Sequence, residues 1–331
     1  MLDREPEELQ YLGAWGIVRE ARNVFKASRK QFMAITLTLI LPLSFVILAH
    51  TLVSDSLLKK IQTNEDKFER EGDGPEADRT LNALSSEWTR LLLFQAGYFV
   101  FLFAFSLLST AAVVYAVACI YTGKQTTYSK VMSVVPKVWK RLIMTFLWYF
   151  LIMVVYNTVL FLVLIFLILM VGTGSMVAFW TCVVVLVTVF VAVHVYMSAL
   201  WHLGSVISVL EDQYGLGAFR KSGDLIKGKR IIAFVMVFLY FVMCGVINGV
   251  FSSRVVHGSG ALSRIFWGIF LVGSLVVVNL TGLLVQSVFY YVCKSYHHQS
   301  IDKSALSDHL EEYLGEYVPL KSSIQMENLD V

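Results

Sequence analysis

Six long apolar stretches constrain this chain more than any other feature. Residues 31 to 53, 91 to 120, 142 to 171, 175 to 209, 231 to 252 and 265 to 292 contain no Asp, Glu, Lys or Arg. An α-helix rises about 1.5 Å per residue, so roughly 20 apolar residues cross the ~30 Å hydrocarbon layer. A helix also pairs its backbone groups internally, which hydrocarbon requires. Each stretch therefore predicts a transmembrane helix. With 57% hydrophobic and 15% charged residues, against about 25% charged in ordinary soluble domains, the composition excludes a soluble enzyme. The second, third and sixth stretches run to about 30 residues, which predicts tilted helices or helices that project from the bilayer.

The acidic start MLDREPEELQ lacks the basic segment and short apolar core of a cleaved signal peptide. The first span is accordingly expected to act as an uncleaved signal anchor. With the N-terminus in the cytosol, the inner segments hold 19 Lys and Arg residues and the outer segments 8. The positive-inside rule favours that orientation, and an even number of spans returns the C-terminus to the cytosol. The discordant segment is 54 to 90, where six basic residues stand among nine acidic ones.

A threefold pattern precedes the odd-numbered spans. Ala14, Ile17, Val18, Ala21, Val24 and Phe25 follow helical spacing, with Arg19, Arg22, Lys26, Arg29 and Lys30 on the other side. Val131, Val134, Val135 and Val138 oppose Lys130, Lys137, Lys140 and Arg141, with Pro136 expected to kink or restart the helix. Phe219, Ser222 and Ile226 oppose Arg220, Lys221 and Lys227. Each segment ends in a basic pair: Arg29 and Lys30, Lys140 and Arg141, Lys229 and Arg230. The expected fold is an all-α integral membrane protein: six transmembrane helices arranged as three hairpins, each preceded by a cytosolic amphipathic interfacial helix. Such helices lie in the headgroup region, where each Lys or Arg near an anionic leaflet contributes on the order of 1 kcal/mol. The six basic-pair residues are the candidate anionic-lipid contacts; the plainer reading is that they only anchor and orient the spans.

The chain divides into a cytosolic segment 1 to 30, a membrane domain 31 to 292 with an outer or lumenal loop at 54 to 90, and a cytosolic tail 293 to 331. Within that loop a Gly-Asp-Gly-Pro sequence at 72 to 75 predicts a break before a second helix that ends near Trp88, and Gly172-Thr173-Gly174 predicts a tight turn in the middle hairpin. The tail predicts a short helix from about Ser304 to Tyr313 and disorder beyond Pro319, hence a candidate docking segment for a protein partner.

The search for chemistry yields few groups. Intramembrane ionisable residues are functional candidates because their burial is costly, and here they are His50, His194 and His202. They are read first as neutral histidines bonded to neighbouring helices, and second as a metal site or proton relay. Asn157, Asn248, Asn279, Gln95 and Gln286 predict interhelical hydrogen bonds. Glu211 and Asp212 form an acidic pair at a cytosolic edge, suited to capping the next helix or, in a sharper reading, to acid-base work or cation binding. Cys293, beside Lys294, is a candidate for palmitoylation. No nucleophile with a paired base and no zinc-like spacing is evident, so no catalytic residue, cofactor or metal is expected.

Three stretches, ITLTLILPLSFVILAH at 35 to 50, YTGKQTTYSKVMSVVPKVWKRLIMTFLW at 121 to 148 and ALWHLGSVISVLEDQYGLGAFRKSGDLIKGKR at 199 to 230, together with the tail SIDKSALSDHLEEYLGEYVPL, carry a resemblance. They resemble a family of plant multi-span membrane proteins without an established activity, some labelled as binding partners of a polyadenylate-binding protein. The segment from Leu200 to Arg230 also looks like the edge-helix motif in the membrane domain of bacterial glycerophosphodiester phosphodiesterases, which implies architecture alone. The expectation is a non-enzymatic scaffold, accessory or lipid-interacting protein of an endomembrane or plasma membrane. Its expected partners are membrane lipids with anionic headgroups on the cytosolic side and a protein bound through the tail, with no direct nucleic-acid binding. The alternative is a transporter or channel for an uncharged or lipidic solute.

Overall fold

The computed structural model describes residues 6–71, 75–124, 126–170 and 176–298. Among these, all regular structure is helical. A 3-10 turn (Pro6–Tyr11) leads into α1 (Ala14–Ala27) and α2 (Arg29–Ile35), then α3 (Leu41–Glu71), α4 (Pro75–Tyr121), α5 (Tyr128–Met170) and α6 (Met176–Leu210). The chain continues through α7 (Leu216–Ile226), α8 (Arg230–Phe251) and α9 (Ala261–Tyr296). Among the described residues, six helices are long and apolar enough to cross a membrane: Arg29–Phe68, Arg79–Tyr121, Tyr128–Leu169, Phe179–Leu210, Arg230–Val256 and Ala261–Tyr296.

The first of these joins α2 to α3 through a π-helical turn, Thr36–Ile40, where the N–H of Leu41 donates to the carbonyl of Thr36 five residues back. The widening falls directly before Pro42. Proline lacks an N–H for the carbonyl four residues earlier, and its ring would crowd that carbonyl in a regular helix. A second π turn, Ser252–Val256, extends α8.

The helices differ from the sequence reading in two places. Segment 54 to 90 is no loop in its described part: α3 continues to Glu71 and α4 starts at Pro75, packed against each other. Ion pairs one turn apart, Asp55 with Lys59 at 2.7 Å and Glu87 with Arg90 at 2.9 Å, decorate these extensions, and Ile61 of α3 is buried. Likewise the basic segment before the third span is not a separate interfacial helix. It is the first part of α5, which runs through Pro136 without a break. Val131, Val134, Val135, Val138 and Leu142 form one buried stripe across the proline, so packing on both sides holds the helix together where one backbone bond is missing. The Gly172-Thr173-Gly174 turn, the Gly-Asp-Gly stretch at 72 to 74 and the tail helix at 304 to 313 lie outside the described residues.

The core sits at one end of the bundle. In α4, nine consecutive residues from Ala111 to Cys119 are no more than 1% exposed, so this helix is enclosed on every side. Four alanines and a cysteine there allow close approach of neighbouring helices. Val288 to Cys293 of α9 are buried beside it. α9 is the hub, packing against the 3-10 turn, α1, α3, α4, α6, α7 and α8. A smaller cluster, Leu48, Ile247, Phe251, Val255, Leu271 and Leu275, joins α3, α8 and α9 toward the other end.

Candidate functional site

The two short helices at the enclosed end bury their apolar faces in protein rather than leaving them for lipid. Ile17, Ala21 and Val24 of α1 are buried in the core, with α1 lying on α9, and Ala218, Phe219, Leu225 and Ile226 of α7 are buried against α5, α6 and α9. What α1 leaves outside is Trp15, 81% exposed, and the cations Arg19, Arg22 and Lys26. α7 is preceded by Gly215, whose φ of +62° suits a residue without a Cβ. Its N–H donates to Thr145 Oγ1 at 2.8 Å, while the Thr145 hydroxyl also meets Ser208 Oγ at 2.7 Å. One threonine of α5 thus ties down the turn between α6 and α7.

The basic pairs separate into two groups. Arg29, Lys30, Lys140 and Arg230 are exposed at this end. Arg141 instead pairs with Asp212 at 2.8 Å. Lys229 donates to the carbonyl of Gln10 at 2.8 Å and stands over the Tyr296 ring at 5.2 Å. These two hold the protein together at its rim. Cys293 is fully buried, which leaves its thiol no approach for acylation in this packing.

The acidic pair also takes a structural place. Glu211 is ion-paired with Lys221 of α7, accepts a hydrogen bond from Tyr290 OH of α9 at 2.5 Å and lies 3.5 Å from Lys294 Nζ. Burial raises its pKa, but the bonds from Lys221 and Tyr290 and the charges of Lys294 and Lys221 outweigh burial, so the carboxyl is held below its ordinary value. The pair capping a helix, expected from the sequence, is instead a lock: Glu211 joins α6 to α7 and α9, and Asp212 joins it to α5.

Deeper in the bundle, α3, α4, α6, α8 and α9 surround a cavity of about 130 Å³. Two polar links line it. His202 Nδ1 meets Gln286 Oε1 at 2.7 Å. Tyr240 OH donates to Asn279 Oδ1 at 2.9 Å, and Asn279 Nδ2 donates to Ser44 Oγ at 2.9 Å. Gly282 keeps the floor open, since a Cβ there would stand 3.2 Å from the Tyr240 ring. Among the described residues, no Asp, Glu, Lys or Arg lines the cavity.

Of the residues singled out from sequence, His202, Asn279 and Gln286 come together here. His194 does not join them: its ring lies 5.6 Å from those of Phe190 and Phe241. His50 is held elsewhere, bonded to Gln95 at 2.8 Å and stacked on Tyr98. Asn157 and Asn248 donate to carbonyls of their own helices, Met153 and Cys244, rather than between helices. The sequence reading did not single out Tyr240 and Ser106, which lie on α8 and α4 and reach the cavity only through tertiary packing. Asn279 and Gln286, seven residues apart, share a face of α9.

Among the described residues, fold and site together define an all-helical protein with six helices long and apolar enough to cross a membrane. A family model described as a domain of unknown function (DUF8558) matches residues 2–329, and the chain belongs to that family. No curated protein and no solved structure matches it. Neither a plant affiliation nor the likeness to the phosphodiesterase membrane domain emerges from these comparisons.

Proposed function

We propose that the protein is a six-span membrane protein of an endomembrane or plasma membrane whose enclosed end faces the cytosol, where it acts as a non-enzymatic scaffold or accessory protein that gathers anionic lipid. In this reading α3 with α4, α5 with α6 and α8 with α9 are the three transmembrane hairpins, and α1 and α7 form a collar at the headgroup level. The supporting observation is the exposed rim of that end: Arg29, Lys30, Lys140 and Arg230 stand free of the core, accompanied by exposed Trp15, Trp139, Tyr214 and Tyr296. Cations there gain about 1 kcal/mol each from an anionic leaflet, and amphipathic aromatic rings favour the interface. The tail remains the segment proposed to dock a protein partner.

The test is enrichment of a labelled anionic lipid around the full chain in nanodiscs, read by energy transfer. Changing Arg29, Lys30, Lys140 and Arg230 to Gln should abolish the enrichment, and unchanged enrichment rejects the lipid claim. Cysteines placed between residues 54 and 90 should label only from the non-cytosolic side. A second reading, passage of an uncharged or lipidic solute, draws support from the uncharged cavity. Flux or lipid scrambling by the purified protein alone would replace the scaffold reading with that one.

A further inference from the structure

Resting on the membrane-spanning reading just given, we infer that the cavity between α4, α6, α8 and α9 is a binding site for the hydroxyl head of an uncharged lipid. The polar lining carries the argument. His202 Nδ1 and the Gln286 side-chain amide lie 2.7 Å apart, and whichever ring nitrogen of the neutral imidazole holds the proton, that single contact leaves the pair one acceptor and at least one N–H donor to spare. Neither side chain makes another hydrogen bond among the described residues, the Ser106 hydroxyl makes none there, and all three side chains line the cavity. An acceptor and donors lining one space are the complement of an alcohol, a group that gives one hydrogen bond and receives others.

Position and lining narrow the ligand. Tyr240 lies ten residues into α8 from Arg230, about 15 Å from the basic end at 1.5 Å per residue, well within the hydrocarbon. Unpaired polar groups at that depth cost free energy that a ligand hydroxyl recovers. The cavity's 130 Å³ exceeds the roughly 10–15 Å³ that one water needs. Leu43, Met236, Val237 and Phe289 supply apolar walls for the carbon skeleton next to the hydroxyl, and half-buried Met236 and Val285 carry the cavity to the flank of the bundle. With no charged residue in the lining among the described residues, a phosphate or carboxylate head would be buried unpaired, which disfavours phospholipids and fatty-acid anions. The class that remains includes sterols and diacylglycerols.

The experiment uses the full chain in nanodiscs with two probes in separate arms, a photoactivatable alkyne-bearing cholesterol and a photoactivatable alkyne-bearing diacylglycerol. The expected result is saturable crosslinking in at least one arm, mapped to peptides of α6 and α9, displaced by the free alcohol and not by its acetate ester. His202→Ala with Gln286→Ala should weaken labelling about tenfold, the effect of one lost hydrogen bond of ~1.4 kcal/mol. Ser106→Phe fills the cavity and leaves the His202–Gln286 contact in place, so it should abolish labelling with the unfolding temperature retained. Absence of saturable labelling in both arms, equal displacement by the acetate, or undiminished labelling of Ser106→Phe overturns the inference. Anionic-lipid enrichment measured on the same nanodiscs separates the two claims, since loss of cavity labelling with enrichment intact rejects the cavity site alone.

Discussion

At the enclosed end, α4 is surrounded by protein over nine residues, whereas at the opposite end α5 and α6 turn residues of the same apolar kind outward. Phe161 and Leu162 of α5, and Val177 and Trp180 of α6, are exposed, although hydropathy does not distinguish these segments from Val113 to Val117. What differs is size and neighbours. Alanines in α4 admit α9 and its partners at short range, while outer α5 packs on α6 along one side and turns most of its Leu, Phe and Val side chains outward. In a membrane both arrangements are stable, because lipid chains are as apolar as leucine and exposing them costs nothing. The enclosed end therefore concentrates nearly all the specific packing, and the open end is free to face lipid or another protein.

That contrast can be broken by substitution, with unfolding temperature in detergent micelles as the common readout. Ala116→Phe in the enclosed part of α4 should have the largest effect, a loss of about 3 kcal/mol, because overpacking a filled core forces helices apart. Glu211→Gln should cost on the order of 2 kcal/mol through the weakened bonds from Lys221, Tyr290 and Lys294. It should also alter the pH dependence. Since the folded carboxyl titrates below its ordinary value, its contribution is complete above the ordinary glutamate pKa and is lost as pH falls through the lowered one. The wild-type chain should lose stability over that acid range more steeply than the Gln variant. Gly282→Ala should cost about 1 kcal/mol by displacing Tyr240. Leu162→Ala, on the open flank, should shift stability by less than about 0.5 kcal/mol. A large loss there would show that the open surface is covered by a second protein molecule in the micelle.

The six long helices were legible because the sequence segregates charge from apolar runs so cleanly, and α1 and α7 were legible from their spacing. Amphipathic spacing, however, says only that one face is buried, not by what. The stripes of α1 and α7 looked suited to lipid and are instead covered by α9 and α6, because nothing local records that Ile17 and Leu225 will meet another helix. Pro136 was misread for a related reason: a rule about one backbone bond was weighed without the buried valines on both sides. In segment 54 to 90 the sequence predicts a helix after the Gly-Asp-Gly-Pro break, but not the continuity of α3 and α4 through most of it, because what extends them is tertiary, the packing of α3 against α4. In the cavity, His202 and Gln286 were each visible, but their meeting joins residues 84 positions apart, a distance that periodicity cannot bridge.

The place of α9 as the hub has a consequence in time. Its partners include the 3-10 turn and α1, elements synthesised some 250 residues earlier, a separation that puts their pairing among the long-range contacts that form late. During synthesis the faces of α4 and α1 that α9 covers lack that partner until the last helix emerges. Assembly is then completed only when α9 joins the helices that precede it. A chain cut before α9 would keep five of its candidate spans and lose the centre around which they gather.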